Sequence, residues 1–209
     1  MDYKLRYKRR LPHYQPIGGI FFITFRLNFD LPIAYRKAYQ DFKEKMEIQY
    51  GLTELDENSE SNQRKRLFGF QDDLYGKHTH EISLIDNDSL AMIVADKLLA
   101  LQETKYYLYC WTIMPNHVHF LIRPKVNDDV PVPLSEIMQL IKGGTSRQIN
   151  LLLNRKGALW YHEFFDYCVR TESELYRIID YIRFNPVKAG LVKDPGLWKW
   201  TWMNPDLMG

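Results

Sequence analysis

Two places in the chain hold residues whose types and spacing could do chemistry. The first is His117-Val118-His119, just after Pro115-Asn116; the second is Tyr181 with Asn185 four residues on. Side chains of a strand alternate between faces, so Val118, Phe120 and Ile122 point into a core while His117, His119 and Leu121 point to the opposite, open face. Two imidazoles about 7 Å apart along one strand face can converge on one cation. A lone His-x-His is also common without any metal. His78-Thr79-His80 supplies an internal control: it lies in a polar, loop-like stretch and reads as surface histidines. Around the final helix, at 100° per residue, Leu175, Ile178, Ile179 and Ile182 form the apolar stripe. Tyr181 falls beside it, with Asn185 one turn further and Arg177 adjacent. That position suits a hydroxyl working next to the histidines. It equally suits a tyrosine packed at a core edge with its hydroxyl wet.

The elements that must position these groups follow from periodicity. Residues 20–27 read as a first strand after Gly18-Gly19, and Ile33 to Tyr50 as a helix opened by Pro32. The acidic and polar stretch Thr53 to Gln63 lacks periodicity and is expected to be a mobile loop. A second helix runs from a cap at Asp88-Ser89 to about Glu103. Tyr106 to Ile113 and His117 to Arg123 form a hairpin around Met114-Pro115-Asn116. A helix from Leu134 to Leu152 follows, then a strand from Phe164 to Arg170. The last helix, from about Glu172 to Phe184, is expected to stop before Pro186. The order β-α-α-β-β-α-β-α predicts a ferredoxin-like α+β fold: an antiparallel four-stranded sheet with helices on one face and a helical insertion after the first strand. We expect one domain over residues 1–209, with the insertion at about 31–103 and a C-terminal tail at about 191–209.

Composition narrows the class. The chain has 209 residues, 45% hydrophobic and 26% charged, which fits a folded domain and excludes a disordered or fibrous one. Its net charge of +2 does not by itself announce nucleic acid. Charge is clustered, however, in Lys4, Arg6, Lys8, Arg9 and Arg10 and again in Arg64-Lys65-Arg66. Such runs are solvated surface or a footprint for phosphates. Cys110 and Cys168 lie in apolar strands and read as reduced, buried thiols. No apolar run reaches the roughly 20 residues of a membrane helix, and no signal-like segment follows the basic start, so a cytoplasmic setting is expected.

Two longer motifs carry a family resemblance. They are Trp111-Thr-Ile-Met-Pro-Asn-His-Val-His-Phe-Leu-Ile122 and Asp180-Tyr-Ile-Arg-Phe-Asn-Pro-Val-Lys-Ala-Gly190. Together they resemble the REP-associated tyrosine transposases, within the wider HUH single-tyrosine group. The likeness continues in Arg9-Arg10-Leu11-Pro12-His13, in Phe21 to Arg26, in Gln139 to Asn150, and in Asp166 with Val169-Arg170.

The resemblance implies a metal site and a nucleophile. His117 and His119 match the metal-binding pair, Tyr181 matches the nucleophile, and Asn185 stands where related enzymes place a third ligand. A phenol has a pKa near 10, so only about one in a thousand is ionised at neutral pH. A cation that polarises the scissile phosphate makes it an effective nucleophile, and this donor set suits Mg²⁺ or Mn²⁺. The implied product is a 5′-phosphotyrosine with a free 3′-hydroxyl. Single-stranded or hairpin DNA is the implied partner, with no membrane and no small-molecule cofactor. Lys8, Arg9, Arg10 and His13 in the N-terminal arm, with Lys142, Arg147 and Asn150 near one face of the helix from Leu134, are candidate DNA contacts. Both a monomer and a homodimer are compatible with the resemblance. Two other functions remain open from the sequence: a non-catalytic regulator that binds DNA hairpins, and a metal-dependent phosphodiesterase in which water attacks. Trp198, Trp200 and Trp202 alternate like one strand face, either packing the tail on the domain or stacking bases.

Overall fold

The aromatic and β-branched runs at 21–26, 106–113 and 117–124 form the middle of one antiparallel sheet, because each can bury one face against apolar neighbours. The computed structural model describes residues 6–8, 12–50, 57–78 and 80–207. In chain order the elements are β1 (Arg6–Lys8), β2 (Pro12–Tyr14), β3 (Phe21–Arg26), α1 (Ile33–Tyr50), α2 (Glu57–Gly76), α3 (Asp88–Ala100), β4 (Tyr106–Ile113), β5 (His117–Pro124), β6 (Val126–Asn127), β7 (Val130–Pro131), α4 (Leu134–Leu152), β8 (Phe165–Cys168), α5 (Glu172–Lys188) and β9 (Thr201–Met203). The main sheet has the order β8-β3-β5-β4-β9, while β1 with β2 and β6 with β7 make two-stranded ribbons. Four of the five strands are those expected. The fifth, β9, comes from the tryptophan-rich tail and pairs antiparallel with β4, placing Trp202 opposite Trp111. Trp198 donates its indole N–H to the Ile113 carbonyl at 3.1 Å, and Trp200 is buried. Packing the tail on the domain is therefore what these residues do here.

The chain divides into two units, Met1–Asn28 with Glu81–Gly209, and Phe29–His80. The inserted unit is shorter than the expected 31–103, because α3 packs with α4 in the first unit. Within the inserted unit, α1 and α2 pair, and the rings of Phe42 and Phe70 stack at 4.3 Å. The expected loop at 53–63 is corrected: from Glu57 the chain is helical, and only residues 53–56 of that stretch lie outside the described residues. Its polar start hid a helix whose aromatic anchors come later, at Phe68 and Phe70. His78 and His80 are half-buried, each packing against Phe29, at 4.7 and 5.2 Å between ring centroids, and are not the open surface histidines expected.

In the first unit, the face bearing Val118, Phe120 and Ile122 is covered by α3 and α4. Tyr106 donates its hydroxyl to the Leu98 carbonyl of α3 at 2.7 Å. The Trp160 indole donates to Thr145 of α4 at 2.8 Å while its ring meets Phe25 at 4.7 Å. The opposite face is not open. α5 lies on it, putting Tyr181 against Phe22 and His119, and burying Ile179 and Ile182. Helices therefore flank the sheet on both faces. The reason is the apolar stripe of α5, which needs a surface to cover.

Across the sheet, register aligns Thr24, His119, Thr112 and Thr201 in one row. Thr24 Oγ1 lies 2.7 Å from His119 Nδ1, and the hydroxyls of Thr112 and Thr201 are 2.7 Å apart.

Both ends of α5 are fixed by local chemistry. Thr171 caps the start, accepting the Glu174 N–H at 3.2 Å. The buried Glu174 carboxylate accepts from the Arg170 amide and from the Tyr167 hydroxyl of β8, both at 2.9 Å. This capping arrangement ties the helix to the sheet edge. The helix does not stop before Pro186 but continues to Lys188. A proline so near the end forfeits a single i→i−4 bond, that of its own missing N–H. The last turn closes as a Schellman motif, with Gly190 N–H on the Val187 carbonyl and Leu191 N–H on the Pro186 carbonyl, both at 2.9 Å. Gly190 has φ +73°, a conformation costly for any residue with a Cβ. Gly190→Ala is expected to lower stability by about 1–2 kcal/mol, read as a lower urea midpoint at unchanged slope.

Candidate active site

β5 delivers both histidines to one face, and the fold then buries them: His117 is 1% and His119 0% exposed. Their ring centroids are 4.7 Å apart, closer than the strand spacing alone suggests, with the ring planes at 72° to each other. One ring nitrogen of each lies within 4.8 Å of the other. That is of the order a shared cation requires, with each nitrogen about 2.1 Å from the ion. His117 Nδ1 lies 2.7 Å from Asn116 Oδ1. An amide oxygen only accepts, so His117 Nδ1 carries the proton and Nε2 presents a lone pair. Thr24 Oγ1, a hydroxyl that can donate or accept, lies 2.7 Å from His119 Nδ1 and orients that ring. Such outer partners orient metal-binding imidazoles and set their tautomer. The donor set therefore fits a divalent cation.

α5 brings Tyr181 to this pair. Its ring is 5.7 Å from that of His119 and 5.8 Å from that of Phe22, while Phe22 stacks on His119 at 5.6 Å. The three rings form a nearly equilateral cluster. Tyr181 itself is half-exposed, as the edge of the α5 stripe requires. Asn185, one turn on, is buried at 4%. Phe22 and Thr24 are site neighbours the motifs did not single out. Their signal was present in the alternation of β3, where both share the face that pairs with His119 and Leu121.

The candidate DNA contacts fare unevenly. Arg9 and Arg10 lie outside the described residues; Lys8 and His13 sit in the β1–β2 ribbon, where Lys8 pairs with Pro12 and His13 with Tyr7. Lys142 is turned inward. Its ammonium donates to the carbonyls of Tyr161, His162 and Glu163 at 2.9, 3.2 and 2.9 Å, fastening the approach to β8. Asn150 closes the 150–157 turn, donating to the Gly157 carbonyl and accepting from Arg155. Arg147 is exposed on α4. Gly144 in α4 is approached by the Lys97 side chain of α3, which a Cβ would meet at 3.1 Å, while no protein atom lies within 4 Å of a Cβ built at Gly143.

Neither cysteine offers a ready nucleophile. Cys110 is fully buried, and Cys168, half-buried in β8, has its thiol pushed up to about 11, chiefly by burial. Such a group holds almost no thiolate at neutral pH.

Comparison with known proteins adds family context to this geometry. The family model described as Transposase IS200 like matches residues 89–185, the stretch from α3 to Asn185. A Haemophilus influenzae protein named for the REP-associated tyrosine transposases is 27% identical over 101 residues, covering 46% of this chain and 57% of the relative. The REP-associated tyrosine transposase of Escherichia coli K12 is 24% identical over 107 residues, covering 51% of this chain and 59% of the relative. The chain thus spans less than two thirds of the length of either. A solved REP-associated tyrosine transposase bound to a REP hairpin superposes with TM-score 0.50 at 18% identity, over 93% of this chain and 82% of that one, a likeness of fold. No helix among the described residues is long and apolar enough to cross a membrane. The resemblance carried by the two motifs is borne out: residues 89–185 match the IS200-like transposase family, and the chain is similar to REP-associated tyrosine transposases over about half its length.

Proposed function

We propose that the chain cuts and rejoins single-stranded DNA at hairpin-forming repeats, with Tyr181 as the nucleophile. The observation that carries this reading is the contact of the Tyr181 ring with His119, at 5.7 Å between centroids, on the face where both imidazoles gather. The phenolic oxygen attacks the phosphorus of a backbone phosphodiester and the P–O3′ bond breaks. The DNA 5′ phosphate is then joined to Tyr181, and the proton lost by the phenol is recovered by the departing 3′-hydroxyl through solvent. Attack by a 3′-hydroxyl reverses the step and joins strands. No oxidant or cofactor enters the balance.

His117 and His119 would hold a divalent cation, Mg²⁺ or Mn²⁺, with Asn185 as the third ligand; when bound it would supply positive charge to a non-bridging phosphate oxygen. The chain itself orients the reacting groups. Phe22 packs against both Tyr181 and His119, Thr24 and Asn116 orient the imidazoles, and the Glu174–Tyr167 tie holds the start of α5. Arg147, Lys8, Arg9, Arg10 and His13 are proposed to contact the strand, with Lys142 and Asn150 supporting it from within. Both cysteines are free thiols, in keeping with a reducing, cytoplasmic setting.

The test is incubation of the protein with a single-stranded repeat hairpin labelled on its 3′ side, plus Mn²⁺. A DNA–protein adduct should survive a denaturing gel, map by mass spectrometry to the peptide containing Tyr181, and vanish with EDTA. Cation-dependent cleavage without an adduct would assign the reaction to water. Tight hairpin binding with no cleavage would leave a regulator.

A further inference from the structure

Beyond the histidine pair and the tyrosine, one more charged group reaches the site. Lys188 lies in the last turn of α5, and its ammonium sits over the Tyr181 ring, 5.4 Å from the centroid. The spacing explains the contact. Seven residues make two turns with only about 20° of drift, so Lys188 and Tyr181 share a face of the helix. Helical side chains also lean back toward the N-terminus, which carries the long lysine stem over the preceding turns. Lys188 is exposed, whereas His117 and His119 are sealed. Its charge therefore approaches the phenol from the solvent side, and the imidazoles approach from the sheet side.

We propose that Lys188 is a further catalytic residue: its ammonium binds a non-bridging oxygen of the scissile phosphodiester, opposite the imidazole side. This rests on the assignment of Tyr181 as nucleophile. A phosphodiester carries one negative charge, and the pentacoordinate transition state of attack by the phenol adds more. The Lys188 ammonium would share that charge with any cation held by His117 and His119, and on its flexible stem it can follow the phosphate as the bond to Tyr181 Oη forms and the bond to O3′ breaks. A lysine in the last helical turn also favours the helix dipole, so a purely structural role is the competing explanation. The two roles separate experimentally. A dipole role is read in stability and is blind to DNA chemistry.

The experiment compares wild type, Lys188→Gln and Lys188→Arg with the same Mn²⁺-loaded hairpin substrate. Single-turnover formation of the adduct, hairpin affinity and melting temperature are measured for each. The expected result is an adduct rate lowered about a hundredfold in Lys188→Gln, with affinity changed by less than about threefold. Lys188→Arg should restore most of the rate, since a guanidinium keeps the charge. A Lys188→Gln rate within about threefold of wild type, or a rate loss that Lys188→Arg does not repair, overturns the proposal while leaving Tyr181 in place. Absence of any adduct from wild type overturns the nucleophile assignment, and this proposal with it. Equal loss of rate and melting temperature in both variants returns Lys188 to a structural role.

Discussion

Tyr181→Phe is expected to abolish the covalent DNA adduct while leaving hairpin affinity within about twofold of wild type. Phenylalanine keeps the edge-on packing of ring 181 against Phe22 and His119, so the cluster and α5 stay in place. Only the oxygen is lost, and with it the bond to phosphorus. Residual cleavage would have to come from water, and at no less than about a thousandfold lower rate. Circular dichroism and melting temperature should match wild type, which separates lost chemistry from lost fold. An adduct that still forms in Tyr181→Phe would move the nucleophile elsewhere. Fourteen tyrosines make that a real alternative, although Tyr106, for one, is excluded by its burial and its bond to Leu98.

His119→Gln should be nearly as damaging. Glutamine approximates the volume but cannot repeat the arrangement in which Thr24 holds one ring nitrogen while the other faces inward. Removing one of two imidazoles is expected to lower the adduct rate by two to three orders of magnitude, about 3–4 kcal/mol of lost stabilisation. A second readout needs no DNA. Mn²⁺ at about a hundred times its dissociation constant should stabilise wild type by roughly 2.7 kcal/mol and so raise its melting temperature. That increment should disappear in His119→Gln. An unchanged Mn²⁺ shift in the variant would remove His119 from the metal site, whatever happens to the rate.

Much of this architecture is legible in the sequence because its signals are local. Alternation in 117–123 puts both histidines on one face, and helical period in 175–182 puts Tyr181 at the edge of a stripe. Both hold in the structure. What the sequence hides is pairing at a distance. Nothing near Thr24 says that it stands opposite His119, since that depends on the register of β3 against β5, almost a hundred residues apart. Burial of the histidine face is hidden for the same reason: the stripe of α5 is visible, but not the surface it seeks. At the other extreme, simple rules misled where context overrode them. Pro186 was expected to end a helix, yet one turn from a Schellman closure it interrupts only its own bond. The polar run before Phe68 hid the start of α2 because its anchoring aromatics follow rather than lead.

The row of side chains from Thr24 through His119 and Thr112 to Thr201 has a practical consequence. Three hydroxyls and an imidazole line up across four strands, and the outermost belongs to β9, only a few residues from the end of the described chain. Just past it, Asn204 clasps the backbone of Leu108 and Tyr109. Anyone shortening this protein for crystallisation should therefore cut after Asn204, since trimming at the tryptophans would unzip the flank of the very strand that braces His119.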